Sequence, residues 1–85
     1  MLTAFVLIAA EPAAIAALGA ALAAIDGVTE VYSVTGDDDL LVVVRVAGHD
    51  QVARIVTEEI AALDGIAATR TLIAFRQYDQ ADIGF

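Results

Sequence analysis

The residues of this 85-residue chain that are best suited to chemistry form one acidic segment, Gly36-Asp37-Asp38-Asp39. Three carboxylates offer the oxygen ligands that hard cations prefer, but the segment lacks the alternation and the distant Glu of a calcium loop. A solvated turn, in which Asp side chains bond to their own backbone, is the simplest interpretation. The alternative is a ligand-binding turn, where backbone N–H groups take a carboxylate and an Asp takes an ammonium group.

Other groups suited to catalysis are few. The chain has no Cys, Trp or Lys, so carboxylates, Tyr32, Tyr78 and the single His49 are the available acids and bases. No residue has the spacing of an activated nucleophile. His49 precedes a predicted helix, a place where an imidazole is usually exposed. We therefore expect no catalytic residue, no metal and no cofactor, and the lack of Cys gives no sign of an oxidising compartment.

Charge and hydropathy exclude two further classes of partner. The net charge is −8 and the isoelectric point is near 4.1, with arginines spread over positions 45, 54, 70 and 76. Because phosphate binding needs clustered cations, we expect no direct contact with nucleic acid. Residues 2–10 lack the basic flank of a signal peptide, and the apolar residues 13–25 fall short of the roughly 20 that span a bilayer. The sequence thus predicts a cytoplasmic protein with no membrane partner.

Hydrophobic periodicity predicts the helices and strands that position these residues. A phrase typical of a helix end followed by a strand occurs twice, as AIDGV at 24–28 and ALDGI at 62–66, with Gly at the position that favours positive φ. The predicted helices cover 12–25, opened by Pro12, and roughly 50–63, with Asp50 as N-cap and Arg54 four residues from Glu58. The predicted strands cover 2–10, 28–35, 40–46 and 66–78, and the tail 79–85 is irregular, an arm that reaches a neighbouring copy.

The order β-α-β-β-α-β predicts an α+β ferredoxin-like sandwich, in which a four-stranded antiparallel sheet in the order 4-1-3-2 carries both helices on one face. The strand at 40–44 is apolar without alternation, the first helix has an uncharged face, and the chain is 60% hydrophobic. A domain this small cannot bury so much apolar surface alone, so we expect an oligomer in which a second sheet covers the open face.

Four segments resemble one known family: EVYSVTGDDDL at 30–40, VRV at 44–46, DGI at 64–66 and TRTLIAF at 69–75. They are similar to the effector domain of the leucine-responsive and asparagine regulators, the Lrp/AsnC family, and the resemblance covers nearly the whole chain. No helix-turn-helix segment is present, so the chain is similar to the stand-alone members, a single domain over residues 1–85.

The resemblance implies an amino-acid effector bound between dimers, dimers paired through their sheets as a dimeric α+β barrel, and an octamer or similar ring. It places the effector at Gly36, Asp37, Asp39, Leu72, Ile73, Ala74 and His49. Asp38 departs from the family, in which many members have an aromatic or apolar residue; its carboxylate would favour a cationic amino acid or face water. Two alternatives stay open, namely a small cofactor-free enzyme of the dimeric ferredoxin-like type (monooxygenase or isomerase) and a structural partner that co-assembles with a full-length regulator.

Overall fold

The computed structural model describes residues 1–79 and has the predicted ferredoxin-like architecture. One antiparallel sheet runs in the order β2-β3-β1-β4, which is the predicted order. Its strands are β1 (Leu2–Ala10), β2 (Val28–Ser33), β3 (Leu40–Val46) and β4 (Ile66–Ile73). A 3-10 turn (Pro12–Ala14) leads into helix α1 (Ile15–Ala23), and helix α2 (His49–Arg54) continues into a π-helical turn (Ile55–Ile60).

The two faces of the sheet have different environments. Alternate residues of the central strands β1 and β3 point toward the helices and form one buried cluster with Leu22, Ile55 and Ile60. Burying each of these large apolar side chains contributes about 1.5 to 3 kcal/mol. The alternate residues that point away from the helices form what we call the open face of the sheet, which no helix of residues 1–79 covers. Its residues are Thr3, Phe5, Leu7, Ala9, Glu30, Tyr32, Leu41, Val43, Arg45, Ala68, Arg70 and Leu72.

Both glycines of the repeated phrase have the predicted positive φ, 96° at Gly27 and 91° at Gly65. Each lies between a helical segment and the strand that follows it. Space is also short at Gly65, where a Cβ would lie 2.4 Å from the Cβ of Ala14. Conformation and close packing therefore both favour glycine there.

Several element boundaries differ from the predictions. β4 ends at Ile73 rather than at 78, because it is an edge strand whose single partner, β1, begins at Leu2. β2 ends at Ser33 rather than at 35, where the turn into β3 begins. The predicted arm lies, from residue 80 onward, outside the described residues.

The second helix also differs from its prediction. It begins at His49 after Gly48, and no side chain caps it, so Asp50 is not its N-cap. In the π-helical turn the N–H of Ala61 donates to Val56 O, five residues back. Because a π-helical turn holds one more residue than an α-helical turn, Glu59, five residues after Arg54, lies beside it. Arg54 pairs with Glu59 at 2.8 Å and not with Glu58.

Candidate functional site

The acidic turn is fastened to the end of β1 by Asp39. Its main-chain N–H donates to Ile8 O at 2.8 Å, and its carbonyl accepts the N–H of Val34 at 3.0 Å. Its carboxylate Oδ2 accepts the N–H of Ala10 at 2.8 Å, so the side chain continues the β3 ladder one step beyond the start of the strand. Gly36, with φ of 112°, allows the chain to turn. One Asp39 oxygen therefore has a structural role that the spacing of the motif did not indicate.

The extra carboxylate of the turn is also occupied. Asp38 Oδ2 accepts a hydrogen bond from Arg70 Nη2 on β4 at 2.7 Å, and 17% of the Asp38 side chain is exposed. The pair compensates the negative charge of Asp38, so this carboxylate neither faces water alone nor stands free for a cationic ligand. Asp37, by contrast, is exposed and makes no hydrogen bond or ion pair within residues 1–79.

A shallow groove of about 250 Å³ lies at the other end of the sheet, between the second helix and β4. β4 is an edge strand, and its helix-side residues Thr71 and Ile73 are exposed rather than covered. The groove combines apolar walls with an imidazole and two hydroxyls, from His49, Val52, Ala53, Val56, Thr57, Thr71 and Ile73. Sequence reasoning named His49 and Ile73; the other residues follow from the apolar helix stripe and from strand alternation once the helix lies over the sheet.

The three consecutive residues 72–74 expected at the effector do not line one cavity. Ile73 lies opposite Ala4 on the helix side, whereas Leu72 lies opposite Phe5 on the open face. Ala74 follows the strand, donates its N–H to Thr3 O at 2.9 Å and lines a different cleft. Successive strand residues point to opposite faces, and this divides the set.

The acidic turn and the groove lie far apart within one subunit. Asp39 adjoins Leu40, which pairs with Ile8, whereas the groove residues Thr71 and Ile73 pair with Val6 and Ala4. Along β1, about three to five residues separate these levels, or roughly 10 to 17 Å at about 3.3 Å per residue. Gly36, Asp37 and Asp39 therefore form one group and His49 and Ile73 another, and one small molecule contacts both groups only if they come from two copies of the chain.

Tyr32, one of the few possible acids or bases, is committed to a local hydrogen bond. Its hydroxyl donates to the carboxylate of Glu30 on the same strand, and this bond, with the charge of Glu30, raises the pKa of Tyr32 above its ordinary value. Its proton is therefore retained at neutral pH. Within residues 1–79 no group of three His, Asp or Glu side chains is placed to hold a metal ion, and no helix there is long and apolar enough to cross a bilayer.

Comparison with known proteins gives a consistent result. The model of the Lrp/AsnC ligand binding domain matches residues 3–83. An uncharacterized HTH-type transcriptional regulator of Pyrococcus furiosus is 39% identical over 54 residues, which are 64% of this chain and 36% of the relative. The chain thus spans about a third of that relative's length.

Two solved structures extend the comparison to the fold. TTHA0845 from Thermus thermophilus is 45% identical with a TM-score of 0.90, covering 94% of this chain and 100% of that one. Escherichia coli AsnC is 27% identical with a TM-score of 0.82, covering 89% of this chain and 52% of that one.

Proposed function

The chain belongs to the Lrp/AsnC ligand-binding domain family, and we propose that it senses a free amino acid, held in the groove between α2 and β4 and enclosed by the acidic turn of a second copy. Proteins of this family are ligand-binding domains of transcription regulators and not enzymes, which removes the cofactor-free enzyme as an alternative. The single observation that carries the proposal is the separation of roughly 10 to 17 Å between the turn and the groove along the strands of one subunit, worked from strand register.

The two groups supply complementary chemistry. The exposed carboxylate of Asp37 suits an ammonium group, and the backbone beside Gly36 lets a carboxylate approach closely. The groove walls, Val52, Val56 and Ile73, suit an apolar side chain. No Asp, Glu or Arg of residues 1–79 lines the groove, so we propose an amino acid with an apolar side chain as the effector.

Fold neighbours are consistent with such a ligand. A Neisseria meningitidis regulator has been solved as a complex with L-Met; at 15% identity and a TM-score of 0.83 it shares the fold alone with this chain. Its ligand has an apolar side chain, which is the class that the groove chemistry favours independently.

Assembly follows from the uncovered apolar surface. Leu72, on the open face, is 51% exposed, and Phe5, Leu7 and Leu41 beside it are only half-buried. We propose that sheets pair across this face and that the dimers associate further into a ring, in the cytoplasm, where free amino acids report nutrient supply. The net charge of −8 makes direct DNA binding unfavourable.

Calorimetric titration of the purified chain with each of the twenty amino acids tests the proposal. We expect one apolar amino acid to bind. We expect Asp37→Asn to weaken it about tenfold or more, as loss of a charge-assisted hydrogen bond does, and Thr71→Ala to weaken it about two- to tenfold, as loss of a neutral hydrogen bond does. Thr69→Ala is the matched control, because Thr69 lies on the same strand and the same face but outside the groove.

Mixing the two variants tests the composite site directly. Asp37→Asn and Thr71→Ala chains are mixed in equal amounts and refolded together. About a quarter of the sites should then be intact, because each site takes its turn and its groove from different copies, and each of these parts is unmutated in half of the chains. If the mixture binds no more ligand than the separate variants, the two residues act within one subunit and the composite site is wrong. Binding that survives in both variants would place the effector elsewhere.

A second role is favoured by one observation: the matching segment occupies only 36% of the Pyrococcus furiosus HTH-type regulator. Pairing through a shared open face would let this chain join such a regulator and alter its DNA affinity. Mixing the purified chain with a full-length AsnC-type regulator and measuring the mass of the complex by light scattering tests this; masses of the two separate proteins only would exclude it.

A further inference from the structure

The open face carries opposite charges on its two edge strands. Its residues form rows across the sheet, of which one runs Tyr32, Leu41, Leu7, Arg70 and the next runs Glu30, Val43, Phe5, Leu72. In both rows the two central strands, β3 and β1, contribute apolar side chains. Arg70 lies on the edge strand β4, whereas Glu30 lies on the other edge strand, β2. The face is therefore apolar in the middle, positive at one edge and negative at the other.

Both charged side chains keep bonding capacity within residues 1–79. Arg70 donates to Asp38 through Nη2, and 64% of the Arg70 side chain is exposed. A guanidinium has further N–H donors in a rigid fork, so this bond does not exhaust it. Glu30 accepts the Tyr32 hydroxyl with Oε2, and no described residue bonds to its other oxygen. Each group is thus able to take an additional partner of opposite charge without losing the bond it already has.

Symmetry decides which strands meet when two such sheets pair face to face. The two-fold axis of a symmetric pair lies in the plane between the sheets. If it runs perpendicular to the strands, β2 faces β2 of the partner subunit and β4 faces β4, so that like charges approach each other. If it runs parallel to the strands, between β1 and β3, the apolar Leu7 faces Leu41 of the partner subunit, and Arg70 faces the strand that carries Glu30. Electrostatic complementarity favours the second orientation.

We propose that two copies pair their open faces about a two-fold axis parallel to the strands, with Arg70 of each copy bound to Glu30 of the partner subunit. This inference rests on the sheet pairing proposed above and gives that pairing its orientation. Arg45, near the end of β3, then faces Thr3 of the partner subunit, whose hydroxyl accepts its hydrogen bonds. The two symmetric ion pairs select this orientation because every rotated alternative separates them or brings like charges together.

Charge reversal in two separate full-length chains tests the orientation. One chain carries Arg70→Glu and the other Glu30→Arg, both in an Asp38→Asn background, which removes the carboxylate that bonds to residue 70 within its own chain. Each chain alone places like charges at both edges of its dimer, whereas a mixed dimer has opposite charges at both. The chains are refolded together without amino acid, one of them ¹⁵N-labelled. Native mass spectrometry should show about nine-tenths mixed dimer, a roughly eightyfold preference over random pairing.

The matched control reverses an ion pair that lies outside the open face. Arg54→Glu and Glu59→Arg, in the same background, change the pair on the second helix, so their mixture should contain about half mixed dimer, as random pairing gives. Random pairing of the Arg70 and Glu30 variants would overturn the orientation and leave sheet pairing intact. If the unmodified chain stays monomeric, sheet pairing and this inference fail together.

Neutral variants carry the test if a charge-reversed chain does not fold. Subunit exchange between ¹⁵N-labelled and unlabelled dimers is measured for the unmodified chain, Arg70→Gln, Glu30→Gln and the double variant. Each single variant should exchange faster than the unmodified chain, because most changes in affinity appear in the dissociation rate. The double variant should exchange no faster than the faster single one, since both changes remove the same ion pair. Effects that multiply in the double variant would show that the two residues act independently, which overturns the proposal.

Discussion

Replacing Asp39 with Ala should destabilise the fold by about 1.5 to 3 kcal/mol, the range for a hydrogen bond to a charged group. The carboxylate accepts the N–H of Ala10 at 2.8 Å, and Ala10 is 9% exposed, so water reaches the abandoned donor poorly. Asp39→Asn keeps an acceptor oxygen and should cost less, about 0.5 to 1.5 kcal/mol. The main-chain bond from Asp39 N–H to Ile8 O remains in both variants, which limits the loss to the side chain.

Urea unfolding followed by circular dichroism measures these differences, at one chain concentration for all variants because assembly would shift the midpoint. Asp37→Ala is the control within the same turn, and it should change the free energy of unfolding by less than about 0.5 kcal/mol, as exposed substitutions do. If Asp39→Ala unfolds like the unmodified chain, or if Asp37→Ala costs as much, the assignment of a structural role to Asp39 alone is refuted.

The remaining predictions concern two local features. In urea unfolding, Gly65→Ala should lower the free energy of unfolding by about 1 to 3 kcal/mol more than Gly36→Ala does. Both positions have positive φ, but a Cβ at Gly65 meets Ala14 at 2.4 Å, whereas nothing lies within 4 Å at Gly36. Equal losses would show that conformation alone selects glycine. In a Tyr78→Phe background, absorbance titration at alkaline pH should show Tyr32 ionising above its ordinary pKa of 10.0. Because the pKa of Tyr32 is raised in the folded chain, the hydrogen bond from Tyr32 to Glu30 has a small stabilising effect on the fold below pH 10.0. This effect is lost as the pH rises through the raised pKa of Tyr32. Removing the acceptor with Glu30→Gln should lower the pKa of Tyr32, and an unchanged titration would refute the hydrogen bond as its cause.

The fold was predictable because its signals are local and repeated. A helical stripe, a glycine and a β-branched run recur in the two halves, and both glycines have the positive φ that this pattern requires. The π-helical turn was not predictable from a 3.6-residue template, because that template contains no hydrogen bond between residues five apart. Its consequence, the pairing of Arg54 with Glu59, depends on geometry that residue types do not encode.

The candidate site was predictable only in part. The motif marks the turn as unusual, but Asp39 uses one oxygen on the Ala10 N–H and Asp38 pairs with Arg70, a residue 32 positions away. Both contacts depend on strand register, which composition and spacing do not determine. Register also separates Leu72 from Ile73, two neighbours in sequence that lie on opposite faces of β4.

The antiparallel topology has a thermodynamic consequence for the proposed sensor. Since the β2–β3 turn and the end of β4 lie at opposite ends of the sheet, one ligand that contacts both must bridge two copies. Its binding energy then appears in the association of those copies rather than in the stability of either one. At a free concentration of about 100 times its dissociation constant, the ligand contributes about 2.7 kcal/mol per site, a roughly hundredfold strengthening of the contact. An amino acid that bound inside one subunit would leave this association unchanged, so the dependence of oligomer mass on effector concentration reports directly where the effector lies.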